Sequence, residues 1–170
     1  MLFREYQEGA LSTAFDSAKN FDYLAPGLIS EVGELCGLFA KAVRDSDSTM
    51  DKERSESACA EIGDILWFLA VSDAIGSANG FDVDLEQVEP HADKSSSALL
   101  VELSRVSAMM AGEYLTGHTV ADKTVLHILQ LLQLLANRLG SSVNDLAAHN
   151  LAKLRSRAKR GTLRGSGDYR

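Results

Sequence analysis

The sequence predicts an all-α protein, a helical bundle with a four-helix core, and three observations carry that expectation. Apolar residues recur at three- and four-residue spacing along most of the chain rather than alternating. Only two prolines, Pro26 and Pro90, stand in 170 residues, so little interrupts helix formation. The remaining breakers gather in short polar stretches such as Asp45-Ser46-Asp47-Ser48-Thr49 and Asn79-Gly80.

The elements follow in order. A first helix is expected from Leu2 to about Lys19. Proline is favoured in a first helical turn, where its missing donor costs nothing, so Pro26 is read as opening a second helix from about Gly27 to Val43. The polar loop at 45–49 leads to a third, from about Lys52 to Ser77, which stops at Asn79-Gly80. Ser95 to Leu115, Val120 to Leu139 and Val143 to Lys159 give three more, and glycines at 161, 165 and 167 mark an irregular tail. An internal echo links Leu28-Ile-Ser-Glu31-Val with Leu99-Leu-Val-Glu102-Leu, and Gly80-Phe-Asp-Val-Asp-Leu85 with Gly140-Ser-Ser-Val-Asn-Asp-Leu146. It fits either a chance likeness between amphipathic helices or a duplicated helical hairpin whose second copy has lost its acids, in which case the two hairpins pack as one four-helix bundle.

Composition narrows the function classes. With 45% hydrophobic residues the chain is long enough to bury a real core in one domain. Its apolar runs, such as Ile65 to Val71, fall far short of the roughly 18–20 residues of a membrane span, and no basic-then-apolar leader is apparent, which places it in the cytoplasm. Cys36 and Cys59 have neither CxxC nor Cys/His spacing and read as small buried residues. The net charge of −7 conceals an asymmetry: seven basic residues against Asp168 lie between Lys153 and Arg170, and the rest of the chain is more acidic still. A broad acidic surface repels a phosphate backbone, so nucleic acid is not the expected partner; a small polyphosphate suits a local basic end better.

The chemistry concentrates in Glu31-Val-Gly-Glu34 and Glu61-Ile-Gly-Asp64. Each string sets two acids at i and i+3, one turn apart on one side of a helix. Their helices are apolar nearly all round, with Leu28, Val32, Leu35 and Phe39 about the first pair and Ile62, Ile65, Leu66 and Phe68 about the second. Acids held in such surroundings must be protonated, paired or bound to cations, and few bases lie near them along the chain. Four converging carboxylates make an all-oxygen site, which hard cations such as Mg²⁺ or Mn²⁺ prefer. Gly33 and Gly63 each cost about 1 kcal/mol of helix propensity relative to alanine, which a close helix approach or room for a ligand would explain. No GxxxxGK[ST] loop exists, and no histidine has an ExxH spacing with the acids, so neither a P-loop nor a Glu-x-x-His di-iron bundle is indicated. Trp67 and Phe68 are read as core before base-stacking residues.

The pattern ExxE, a gap, ExxD and then Ile-Leu-Trp67-Phe-Leu resembles the MazG-like all-α nucleotide pyrophosphohydrolases. The ending Asn150-Leu-Ala-Lys153-Leu-Arg-Ser-Arg157, followed by Arg160-Gly161-Thr-Leu-Arg-Gly165-Ser-Gly167-Asp168-Tyr-Arg170, is similar to that of many members. The likeness spans about 28–71 and 143–170; Ser30 stands where many members carry a further acid, and the stretch from about Gly80 to Ala121 is longer than the compact members need, which suits substrate selection or oligomer contacts. The resemblance implies hydrolysis of a nucleoside triphosphate between its α and β phosphates, with Glu31, Glu34, Glu61 and Asp64 holding Mg²⁺ and Glu34 chosen as general base. It implies that Asn150 and Lys153 contact the nucleotide. Arg157, Arg160, Lys41 and Arg44 are candidates for further positive charge, and the Gly-rich tail either closes over the phosphates or stays disordered. On this reading residues 1–160 form one all-α catalytic domain, 161–170 a basic tail, and the chain assembles as a homodimer or homotetramer. A phosphoribosyl-ATP pyrophosphohydrolase-like enzyme and a non-catalytic metal-binding helical module are the alternatives. Glu34→Gln and Asp64→Asn are expected to abolish turnover while relieving repulsion among the acids, leaving the fold intact or firmer.

Overall fold

The computed structural model describes residues 1–77, 81–90 and 94–161. Among them stand six α-helices: α1 (Phe3–Thr13), α2 (Phe21–Ser46), α3 (Lys52–Gly76), α4 (Ser96–Leu115), α5 (Asp122–Arg138) and α6 (Val143–Lys159). The four later helices begin and end within two residues of expectation, because polar caps mark their ends. Asp51, Ser95 and Ser142 each accept a backbone N–H from the first turn of α3, α4 and α6.

The first two helices differ from the reading, for local reasons. Helix α1 stops at Thr13 rather than near Lys19. The hydroxyls of Ser12 and Thr13 bond back to the carbonyls of Gly9 and Ala10, and Ala14 turns extended. Helix α2 begins at Phe21 and carries Pro26 inside it. The Asn20 side chain caps it by accepting from Tyr23 N at 3.0 Å, Leu24 and Ala25 bury, and Phe21 stacks on Tyr114 with ring centroids 5.0 Å apart. Pro26 faces solvent, so the Asp22 carbonyl that lacks its donor lies on the side where water can serve it. The polar stretch at 45–49 is partly helical: α2 runs to Ser46 and ends through the left-handed residues Asp47 and Ser48. Asn79-Gly80 and the tail from 162 to 170 lie outside the described residues.

Helix α2 packs on α3 and α4, α4 on α5, and α5 back on α3, which closes a four-helix bundle from two neighbouring hairpins. Helices α1 and α6 lie against α3 and against each other outside that ring. The core runs through Leu28, Leu35, Ile62, Ile65, Leu66, Leu103, Ile128 and Leu132, all at most 1% exposed. A buried polar knot ties α1, α3 and α4: the Asp73 carboxylate accepts from Gln7 Nε2 at 2.8 Å, Ser77 Oγ at 2.5 Å and Tyr114 Oη at 3.1 Å. Burial, aided by Asp73 nearby, pushes the Tyr114 hydroxyl well above its ordinary range, so it stays a donor. Among the described residues no helix is long and apolar enough to cross a membrane.

Glycines mark where this packing is tightest. A Cβ on Gly27 would stand 2.2 Å from Phe68 Cε1, whereas one on Gly33, a turn and a half later, would meet nothing within 4 Å. Gly27→Ala is therefore expected to lower stability, because overpacking of about 1–3 kcal/mol outweighs the helix-propensity gain of about 1 kcal/mol. Gly33→Ala keeps the gain without the clash and should raise the urea midpoint. Equal midpoints for the two variants would contradict this account.

Candidate metal centre

Helices α2 and α3 pack as a hairpin that brings Glu31 and Glu34 together with Glu61, whereas Asp64, expected as the fourth member, lies outside that cluster. One carboxylate oxygen each of Glu31, Glu34 and Glu61 lies within 4.8 Å of the other two. Glu61 is buried at 7% exposure, Glu31 is half-buried and Glu34 is exposed, with Ser30 Oγ 3.4 Å from its Oε1. The expectation that both helices are apolar nearly all round thus holds about Glu61 but not about Glu31 and Glu34. Two acids sit on the rim because α2, unlike α3, leaves one side to water.

The fourth acid has a different environment. Asp64 accepts from Lys153 Nζ at 2.8 Å through both carboxylate oxygens, and from Asn150 Nδ2 at 2.8 Å. Asn150 is 2% exposed, and its Oδ1 accepts from Tyr6 Oη at 3.0 Å. Burial, followed by the nearby Asp64 charge, pushes the Tyr6 hydroxyl far above its ordinary range and keeps its proton in place for that bond. Three helices therefore fix one carboxylate: Tyr6 of α1 sets Asn150 of α6, and Asn150 with Lys153 sets Asp64 of α3. Gly63 makes the approach possible, since a Cβ there would lie 3.2 Å from both Cβ and Nδ2 of Asn150. Of the two costly glycines, then, Gly63 answers to close packing.

Other candidates sort by position. Arg44 forks onto Asp45 at 2.6 and 2.9 Å, which holds the Asp45 carboxyl below its usual range, and Lys41 is exposed with Asp45 in its field. Arg157 is buried on α6 one turn beyond Lys153, while Arg160 is exposed and reaches Ser156 Oγ at 2.9 Å. Phe68 is a core residue and Trp67 packs half-buried against the core: Trp67 Nε1 donates to Thr13 Oγ1 at 3.1 Å and its ring meets Phe68 edge-on. His127 and His118 lie against Glu102 and Glu113, away from the acids, and His91 lies outside the described residues.

Neighbours along the chain do not reveal Lys153 as the partner of Asp64, because the two lie 89 residues apart in sequence. Nor do they reveal Tyr6. It reads as one more apolar-stripe residue beside Phe3 and Ala10, and no spacing announces its hydroxyl.

No family model matches the chain, and no solved structure matches it. The chain is similar to the Gene 37 protein of Mycobacterium phage L5, with 33% identity over 90 residues that take in 49% of this chain and 75% of that protein. The chain belongs to the family of that phage protein. Membership in it specifies no reaction, so the chemistry is argued from the acids and their neighbours.

The pairing of Asp64 reverses one sequence expectation. Removing its charge does not relieve repulsion but strands a half-buried lysine, so Asp64→Asn and Lys153→Met should each destabilise the fold by about 1–3 kcal/mol. In urea unfolding the double variant should lose much less than the sum of the two. Additive losses would show that the pair is not coupled.

Proposed function

We propose that the chain is a divalent-metal-dependent nucleoside triphosphate pyrophosphohydrolase of the MazG-like kind, cleaving between the α and β phosphates to give the monophosphate and pyrophosphate. The observation that carries this reading is the convergence of Glu31, Glu34 and Glu61 within 4.8 Å. Oxygens that ligate one hard cation at about 2.0–2.6 Å stand at most about 4–5 Å apart, so the spacing and the all-oxygen donor set fit Mg²⁺ or Mn²⁺. Like charges so close, one of them buried, raise the energy of the ionised set, and a cation relieves it. The paired acids and the basic ending quoted above for the MazG-like resemblance support the same reading.

Glu31, Glu34 and Glu61 would hold the ion, and Asp64, one turn beyond Glu61, would join them as a fourth oxygen donor only on release from Lys153, which holds both its oxygens. A bound Mg²⁺ would supply charge neutralisation for the triphosphate and acidify a coordinated water. The protein's residues do the rest. Glu34, the most exposed of the three, is assigned to take the proton of the attacking water, which reaches it from the open side. Tyr6 and Asn150 hold Asp64 in one orientation, and a carboxylate kept in place by such outer bonds loses little on meeting a ligand. Lys153 brings positive charge to the edge of the acids, and Arg157 and Arg160 extend it along α6 towards the phosphates. Lys41, exposed nearly two turns past Glu34, is the α2 contribution to that positive rim.

The test is pyrophosphate release from a panel of NTPs, dNTPs and phosphoribosyl-ATP with Mg²⁺. Turnover of a nucleoside triphosphate to monophosphate and pyrophosphate is expected, and Glu34→Gln should lower kcat by about 10²–10⁴-fold, the range of a lost general base. Release confined to phosphoribosyl-ATP would move the chain to that activity. No release at high enzyme concentration would leave a cation-binding module. A separate readout tests the ion itself. Mg²⁺ at about a hundred times its Kd should add about 2.7 kcal/mol of stability to the native chain and little to Glu61→Gln.

A further inference from the structure

Helix α4 carries an apolar face that no described residue covers. Val101, Met109 and Leu115 are 70%, 55% and 52% exposed, three of the four most exposed large apolar side chains among the described residues. Helical spacing puts them on one face with the exposed Ala108 and Gly112. A Cβ at Gly112 would meet nothing within 4 Å, so the middle of the face is low and open to close approach. Shallow depressions flank it, one against Ala98 and Val101, the other between Met109 and Leu126 of α5.

The charges on this face are arranged in a particular way. Glu102, at its edge, is committed within the chain to Lys94 and to His127 at 2.9 Å, and these bonds hold its carboxyl below the usual range. Arg105 has no such partner. Its Nη1 rests on Met109 Sδ at 3.2 Å, and among the described residues no carboxylate forms an ion pair with it. Glu113, two turns further on, is 55% exposed, and among the described residues its carboxylate pairs with His118 Nδ1 alone, at 3.5 Å. Arg105 and Glu113 are equally spaced about Met109, and Val101 and Leu115 about Ala108.

We propose that this face is the contact with a second copy of the chain, α4 lying antiparallel to the same helix of its partner about a twofold axis near Met109. In that register Arg105 meets the partner's Glu113, Val101 meets the partner's Leu115, and the small residues Ala108 and Gly112 let the helices close at the axis. A twofold contact repeats every interaction, so one unpaired arginine and one exposed glutamate become two salt bridges over a buried apolar strip. A parallel register would set Arg105 against Arg105, and an unrelated partner would need no symmetry about Met109 at all. The inference stands apart from the hydrolase reading, since neither the acids nor α6 takes part.

The test is sedimentation equilibrium on the full chain, with helicity followed by circular dichroism. A dimer is expected for the native chain. Arg105→Glu and Glu113→Arg should each weaken self-association about tenfold or more at unchanged helicity, and the double variant should restore it, because both pairs re-form with their signs exchanged. Met109→Asp should give a monomer. A native chain that stays monomeric at every concentration reached overturns the proposal, as does a dimer indifferent to Arg105→Glu and Met109→Asp. Dissociation by both single charge reversals without rescue by the double overturns the antiparallel register.

Discussion

From Glu61 to Asp73, helix α3 has almost no side to give to water. It touches α1, α2, α5 and α6, and Ile62, Ile65, Leu66, Leu69, Ala70 and Val71 are all fully buried. A buried polar group without a partner costs about 1–3 kcal/mol, and a charge more, so each acid on this stretch needs a local solution. Asp73 takes three donors from α1, α4 and its own cap residue. Asp64 takes a lysine and an amide from α6. Glu61 stands with the two glutamates of α2.

These solutions do different work. The Asp73 knot is fully enclosed and locks α1 to the bundle. The Asp64 pair joins the outer helix α6 to the centre, and through Asn150 it reaches Tyr6 on the opposite outer helix. Only the third arrangement sets like charges together, and it lies at the surface, where Glu34 faces solvent. The fold gives Asp73 and Asp64 donors from other helices and sets the buried Glu61 beside the two glutamates of α2 at the edge of the bundle. That contrast, within a single helix, distinguishes the three-glutamate set from an ordinary solvated ExxE pair.

Much of the bundle was legible in the residues. The 3.6-residue period of α4, α5 and α6, with caps at Ser95 and Ser142, fixes their limits closely, because capping and periodicity are local properties. The pairing of α2 with α3 and α4 with α5 follows from short connections and apolar stripes. Pro26 misled for a physical reason: a proline reads as a helix start, yet burial of Leu24 and Ala25 and the Phe21–Tyr114 stack carry the helix past it. The acid pairs were legible as well, since i and i+3 spacing fixes their side of each helix whatever the fold.

The sequence by itself determined which segments are helical, that two helices carry paired acids, and that positive charge gathers on the last one, because these depend on neighbours within a turn or two. Only the tertiary structure decided which acids meet, that Lys153 and Asn150 bond Asp64, that Tyr6 orients Asn150, and that no described residue covers one face of α4. Each of those facts rests on side chains from helices far apart along the chain. Desolvation and charge pairing act through space, and nothing in local spacing records which distant group will come to lie within 3 Å.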